Sequence, residues 1–150
     1  MLFRSMKFVQ GFTIVEVLLS VVLLSMIAGM SIPLSRVFLD RNELDQTTIT
    51  LAQTFRRAQS MAIAQDGDSA WGVKVTSSSI LLFKGSSYAT RDQLLDESTS
   101  IAPSIVFTGL SEVVFQKGSG LPTATGTSTF TSHGDEIRNV TINQKGMVNY

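Results

Sequence analysis

The chain contains no cysteine in its 150 residues, which excludes disulfide staples and all thiol chemistry. Histidine is nearly absent. His133 is the sole one, so no zinc-binding spacing can be drawn, and no glycine-rich phosphate loop is present either. His133 stands beside Gly134 between two β-prone runs, where a solvated turn residue is a better account than a catalytic base. Excess charge is missing as well. Twelve basic side chains balance twelve acidic ones; Lys84, Arg91, Lys117, Arg138 and Lys145 are scattered, and only Arg56 and Arg57 adjoin. That is not the basic patch of a nucleic-acid binder. Asp66 and Asp68, and separately Asp92, Asp96 and Glu97, lack the calcium-loop spacing with its glycine and distal glutamate, and capping and solvation explain them. No metal, no cofactor and no enzymatic activity are expected.

What the chain does have is concentrated at its start. Arg4 and Lys7 precede Gly11-Phe12-Thr13-Ile14-Val15-Glu16, and from Phe12 to Ile32 Glu16 is the only charged residue. Twenty-one residues at about 1.5 Å each reach roughly 31 Å, the thickness of a bilayer's hydrocarbon core. The basic leader contains no acid, whereas the far flank mixes Arg36, Asp40, Arg41, Glu43 and Asp45. The N-terminus is therefore expected in the cytoplasm and the remainder outside. An ordinary secretory signal is the first alternative, with a small-residue cut after Ser31. Its apolar region is usually about 7 to 15 residues, shorter than this run, and it leaves Glu16 unexplained. A plain single-pass anchor is the second. An acid inside a membrane segment costs up to about 2.5 to 3.5 kcal/mol near the centre and less near an end, so such residues are usually functional. A first-turn acid favoured by the helix dipole is the bland account of Glu16.

Basic leader, Gly11, aromatic Phe12 and Glu16 four residues later, followed by a long apolar helix, resemble the class III signal of type IV pilins and type II secretion pseudopilins. The resemblance implies cleavage between Gly11 and Phe12 by a prepilin peptidase, then N-methylation of Phe12. A mature chain of 139 residues would remain (150 minus 11), with side-chain charge 10 minus 12, or minus 2, once Arg4 and Lys7 are gone. It further implies that Glu16 of an incoming subunit pairs with the new Phe12 ammonium of a neighbour. Phe12 and Glu16 also lie four apart on one helix face, so an internal pair can neutralise a waiting monomer.

Gly29 and Pro33 mark a weak point or kink just past the span, since proline removes a helical hydrogen bond and clashes with the preceding turn. An amphipathic pattern then resumes with Leu34, Val37, Leu44, Leu51, Phe55, Ala58 and Ala62 on three-and-four spacing, interrupted by Arg41 and Thr48. The helix is expected to run to about Gln65 and to end at Asp66-Gly67-Asp68. Beyond it, Trp71 to Val75, Ile80 to Phe83, Ile105 to Phe107, Val113 to Phe115, Thr127 to Thr131, Ile137 to Ile142 and Met147 to Tyr150 read as short antiparallel strands. Ser86 to Pro103 and Gly118 to Gly126 read as loops and contact surfaces.

The expected organisation is a leader (1–11), a transmembrane assembly helix (12–32), an amphipathic half-helix (33–65) and a β-rich head (66–150). Some 85 residues make a small core, so the half-helix is expected to form one of its walls. The fold class is α+β, a long helix packed on an antiparallel β-rich head. Arg56 to Gln65 and the final Thr-Ile-Asn-Gln-Lys-Gly-Met-Val resemble minor pseudopilins of the H type and related minor pilins.

The function implied is that of a structural subunit, minor rather than major, in a pilus or secretion pseudopilus. Its implied partners are other subunits, the prepilin peptidase, the inner-membrane assembly platform and membrane lipid, and its location is the inner membrane and then a filament outside it. The alternatives are a filament-tip module binding DNA or a secreted protein, and an anchored protein that never polymerises. A bulky residue in place of Gly11 is expected to leave the leader attached. The intact mass of the membrane-extracted chain, produced with prepilin peptidase, checks this: a chain still starting at Phe12 would remove Gly11 from the recognition site.

Overall fold

The computed structural model describes residues 11–150, with the side chains of residues 30–38 outside the described set. Arg4 and Lys7, and the side chains of Pro33, Leu34 and Val37, lie outside the described residues. The main chain forms one long helix, α1 (Ile14–Ile63), and eight strands. Two compact units divide it, residues 1–36 and 37–150.

In the larger unit the later part of α1 carries a stripe of small and large apolar side chains. Leu44, Leu51, Ala52, Phe55, Ala58 and Ala62 are all buried, which is the burial expected of three-and-four spacing on one helix face. Thr48, read from sequence as an interruption, is buried within the stripe. Its hydroxyl donates to the Leu44 carbonyl at 2.7 Å, so the polar atom is satisfied inside the helix and only its methyl faces the core. Arg41, the other interruption, swings aside to pair with Glu136 at 2.7 Å.

The strands are β1 (Trp71–Val75), β2 (Ser79–Lys84), β3 (Asp92–Ser100), β4 (Ile105–Gly109), β5 (Glu112–Phe115), β6 (Gly126–Ser132), β7 (Ile137–Ile142) and β8 (Val148–Asn149). They form two four-stranded antiparallel sheets, ordered β3-β2-β1-β5 and β4-β6-β7-β8. Alternation sends Trp71, Val73, Val75, Ile80, Leu82, Val113 and Phe115 from the first sheet, and Ile105, Phe130, Val140, Ile142 and Val148 from the second, into one core with the α1 stripe. At its centre Phe55 meets Phe115 edge-on, ring centroids 6.4 Å apart, a favoured aromatic geometry.

Two expectations need correction. The helix stops at Ile63, and Gln65, Gly67 and Asp68 take left-handed φ values of 55°, 61° and 56° in the turn that follows. More substantially, residues 92–100 are a strand and not part of a loop. Asp-Gln-Leu-Leu-Asp-Glu-Ser-Thr-Ser shows no apolar alternation because β3 is an edge, with eight of its nine residues exposed. An edge strand has little to bury, and acids and hydroxyls there oppose further pairing. Its ladder with β2 also bulges: Leu82 and Lys84, two apart, face Glu97 and Asp92, five apart, which breaks any period.

The outer face of the first sheet holds a second, smaller packing site. Gly72 lies between Phe83 and Val114 in register, and Tyr88, from the turn after β2, covers Phe83 at 5.9 Å with rings at 74°. Phe83 and Val114 are buried there although they point away from the main core. A Cβ on Gly72 would enter the Phe83 ring. Gly72→Ala is therefore expected to destabilise the head by about 1 to 3 kcal/mol through overpacking, read as a lowered Tm in detergent. An unchanged Tm would show that the ring has room to move.

Candidate functional site

The smaller unit begins, in the described residues, at Gly11. Thr13 sits just before α1: its hydroxyl accepts the Glu16 N–H at 3.3 Å, and its carbonyl accepts the Glu16 and Val17 N–H groups at 3.1 and 3.2 Å. Thr13 is thus the N-cap, with Glu16 three residues on, the spacing of a capping box. The Thr-x-x-Glu pattern announces this cap in the sequence, and the reading of Glu16 as an assembly residue had passed over Thr13. The helix dipole favours an acid at this place, yet among the described residues no cation pairs with Glu16.

The helix that follows is apolar on every side. Ile14, Val15, Val17, Leu18, Leu19, Val21, Val22, Leu23, Leu24, Met26 and Ile27 are all at least half exposed, and consecutive positions face in all directions around a helix. Its two serines turn their hydroxyls inward, Ser20 onto the Glu16 carbonyl and Ser25 onto the Val21 carbonyl, both at 2.7 Å. Glu16 is left as the one formal charge in this stretch. Phe12, at 83% exposure, precedes it uncovered. Among the described residues no helix is long and apolar enough to cross a membrane. The described part of the apolar run ends at Gly29, and the remainder of the expected 12–32 span falls in residues 30–38. α1 is continuous through Gly29 and Pro33 as a helix.

In the head, cations and acids meet mostly pairwise. Arg57 grips Glu97 with both guanidinium branches at 2.6 and 2.5 Å, Arg138 reaches Asp45 at 2.8 Å, and Lys74 approaches Glu112 at 3.3 Å. Lys117 bonds Asp68, and that hydrogen bond and charge hold the Asp68 carboxyl below the usual carboxylate range. Arg91 and Asp96 lie 2.8 Å apart, each side chain only 16% exposed. The bond to Asp96 raises the Arg91 pKa further, and the guanidinium stacks 3.9 Å from the Tyr88 ring centroid.

Of the acids singled out from sequence, Glu97, Asp96 and Asp68 each meet a different cation. Among the described residues no three of them, with or without His133, form a group able to hold a metal ion. His133 lies exposed in the β6–β7 turn, its Nδ1 2.7 Å from the Ser104 carbonyl. That carbonyl can only accept, so the ring proton belongs on Nδ1. Among the described residues no hydrogen bond or ion pair joins its ring to an acid or a nucleophilic side chain. The basic residues likewise fail to converge, with Arg57, Arg91, Arg138, Lys74 and Lys117 spent on individual carboxylates around the head.

No family model matches the chain, and neither does any curated protein. Among solved structures the chain is similar to the minor pseudopilin EpsH from the type 2 secretion system of Vibrio cholerae, with a TM-score of 0.55 and 15% sequence identity over 71% of this chain and 94% of that one. At that identity the likeness speaks for the fold: an α+β arrangement with antiparallel sheets, shared with a minor pseudopilin.

Proposed function

We propose that this chain is a structural, non-catalytic subunit, minor rather than major, of a type IV filament, and more specifically of a secretion pseudopilus. The observation that carries the reading is the uncovered apolar helix whose only charge is an acid that no cation among the described residues meets, directly after Gly11 and Phe12. Apolar surface costs roughly 25 cal/mol for each Å² left in water, so a helix exposing every side needs a surrounding of lipid or of like helices. Both serve in turn: inner-membrane lipid holds the monomer, and neighbouring subunits hold it in the filament. The head shared in fold with a pseudopilin of a type 2 secretion system favours secretion over a pilus.

Glu16 supplies the register. A prepilin peptidase cuts after Gly11 on the cytoplasmic side, Phe12 acquires a free and then methylated amine, and Glu16 of an arriving subunit pairs with that amine on the one before it. In a low-dielectric surrounding a carboxylate left without a cation is costly, so an axial slip that separates the two is heavily disfavoured. Thr13 keeps the first turn of α1 closed, fixing where the carboxylate stands relative to Phe12. The assembly platform in the membrane then lifts the helix out of lipid and into the bundle. DNA recognition by the head finds no support in cations that are mostly paired one to one.

Glu16→Ala is expected to insert and be cleaved normally yet to enter filaments poorly. Sheared-filament fractions and the intact mass of the membrane fraction read the two steps separately. Normal incorporation would sink the pairing, while failure of cleavage as well would move Glu16 to the peptidase step.

A further inference from the structure

Each sheet ends in two edge strands, and three of the four edges are guarded. β3 carries Asp92, Asp96 and Glu97 together with its bulge. β8 is two residues long, and Arg56 donates to its Val148 carbonyl at 3.3 Å. The outer side of β5 is taken by the chain that follows it: the Val114 carbonyl accepts the Thr123 N–H at 2.8 Å, the Val114 N–H reaches Thr123 Oγ1 at 3.3 Å, and Phe115 bridges Pro122. β4 has none of these devices. Its residues Ile105-Val106-Phe107-Thr108-Gly109 include no charge and no proline, the composition that native edges avoid because it invites pairing.

The ladder with β6 fixes which backbone groups of β4 are free. At one end the His133 N–H donates to the Ser104 carbonyl at 3.1 Å, and at the other the Leu110 N–H donates to the Thr127 carbonyl at 3.0 Å. Bonded and non-bonded pairs alternate along an antiparallel ladder, so Val106 and Thr108 bond β6 while Ile105, Phe107 and Gly109 turn their N–H and carbonyl groups away from it. The Ile105 N–H closes a turn on the Ala102 carbonyl at 3.0 Å. Among the described residues nothing bonds the Phe107 N–H, the Phe107 carbonyl or the Gly109 N–H. Val106 is 57% exposed, and Thr108 and Gly109 are exposed beside it. Phe107, tilted against Phe130 with ring centroids 5.5 Å apart, is only partly covered.

We propose that an extended, uncharged segment of an unlike subunit adds to the free edge of β4 as a fifth strand of the second sheet. Main-chain pairing of this kind supplies the attraction, and alternate side chains select the partner. On the inner side the added strand meets the uncovered part of Phe107, which calls for apolar residues. On the outer side Val106 and Thr108 run on into Thr127, Thr129, Asn139 and Thr141, whose side chains bond across the strands at 3.0 and 2.9 Å and none of which is charged. Hydroxyl and β-branched residues continue that face, since such cross-strand pairs are favourable. Five residues of edge offer too little to hold a free partner. The contact works between heads whose chains are already tethered side by side, where the effective concentration is high. A minor subunit stands among subunits of other kinds, so the identity of the partner rests on the subunit reading above, whereas the capacity of the edge to take a strand does not.

Two measurements test the edge and the partner separately. The first follows amide exchange of the full chain in detergent with a synthetic peptide, Lys-Thr-Val-Thr-Val-Thr-Lys, as the probe. The Phe107 and Gly109 amides are expected to exchange quickly in the free chain and slowly with peptide present, while the amides of β3 and β8 stay unchanged. A peptide N-methylated at its five central residues, unable to pair, is expected to do nothing. Slow exchange of both amides in the free chain, no slowing by the peptide, or equal slowing by its methylated form overturns the free edge. The second places the photo-cross-linker benzoylphenylalanine at Thr108 in intact membranes with the assembly machinery present. The expected product joins this chain to a different subunit at an uncharged segment, and Val106→Lys is expected to lower its yield about fivefold, the upper range for a cross-strand pair. The same cross-linker at Val22, in the apolar helix, reports assembly independently. A subunit conjugate at Val22 with none at Thr108 overturns the partner and leaves the subunit reading standing, and none at either place overturns both. A Thr108 product with a second copy of this chain, or at a charged segment, overturns the assignment of the partner.

Discussion

Everything in the head depends on the burial of one face of α1. Each sheet offers a single inner row of apolar side chains, and two four-stranded sheets of this length do not bury those rows against each other alone. Leu44, Leu51, Phe55, Ala58 and Ala62 complete the enclosure, and Phe55 touches Phe115 at the middle of it. The stripe becomes smaller toward its C-terminal end, where two alanines replace leucine and phenylalanine. That is the end where the Lys117–Gly120 turn comes in, its Gly118 N–H bonding the Ala62 carbonyl at 2.8 Å and Gly120 lying against Ile63. Small residues admit a close backbone there, and the Ala62 carbonyl accepts both the incoming Gly118 N–H and, at 3.2 Å, the Gln65 N–H of the turn that ends the helix.

Polar contacts then act at the margins of this packing. Glu43 accepts a hydrogen bond from Ser104 at 2.6 Å, Asp45 from Arg138 at 2.8 Å, and Arg57 clasps Glu97. Exposed pairs of this kind contribute little each, about 0.2 to 1 kcal/mol. Their effect is directional: they tie α1 to the first sheet on one flank and to the second on the other. Arg91 and Asp96 differ in being largely enclosed, and Asp96 Oδ1 has no hydrogen-bond partner among the described residues. Such a pair is weak evidence for stability because desolvation offsets its attraction. Its place beside Tyr88 and Phe83 suits it to holding the turn after β2 against the sheet.

Much of this was legible in the residues and some was not, for physical reasons. The α1 stripe and the strands at Trp71–Val75 and Ile137–Ile142 were readable because one face of each is buried and burial imprints a period. β3 was not: an edge strand with both faces in water carries no period to find, and its bulge erases register. The partners of Arg57, Arg138 and Lys117 were equally invisible, being 40 or more positions distant along the chain. Gly72 gave no sign of its role because the need for a missing side chain arises only once Phe83 is placed opposite. Thr13 was visible in principle, as Thr-x-x-Glu before an apolar run. At the N-terminus the reading of Gly11, Phe12 and Glu16 rests on sequence order alone and belongs to the proposal above, since it involves no tertiary contact of the head.

The two stretches of α1 carry different sequence periods because they meet different surroundings. From Leu44 onward apolar residues keep to one face and the rest is polar, the pattern of a helix with one protein neighbour. From Ile14 to Gly29 no face is polar, and the serines hide their hydroxyls on the preceding turn. A helix of the second kind gains nothing from choosing a side, so packing of its apolar surface alone gives weak guidance to axial position: Val, Leu and Ile slide past similar residues at little cost. In the filament proposed above, a single carboxylate would break that degeneracy. One turn from the proposed cleavage point, Glu16 would make one axial offset between neighbours electrically neutral and leave the others with an unmatched charge in low dielectric. On that proposal the many apolar contacts supply attraction without register, and the one acid supplies register with little attraction of its own.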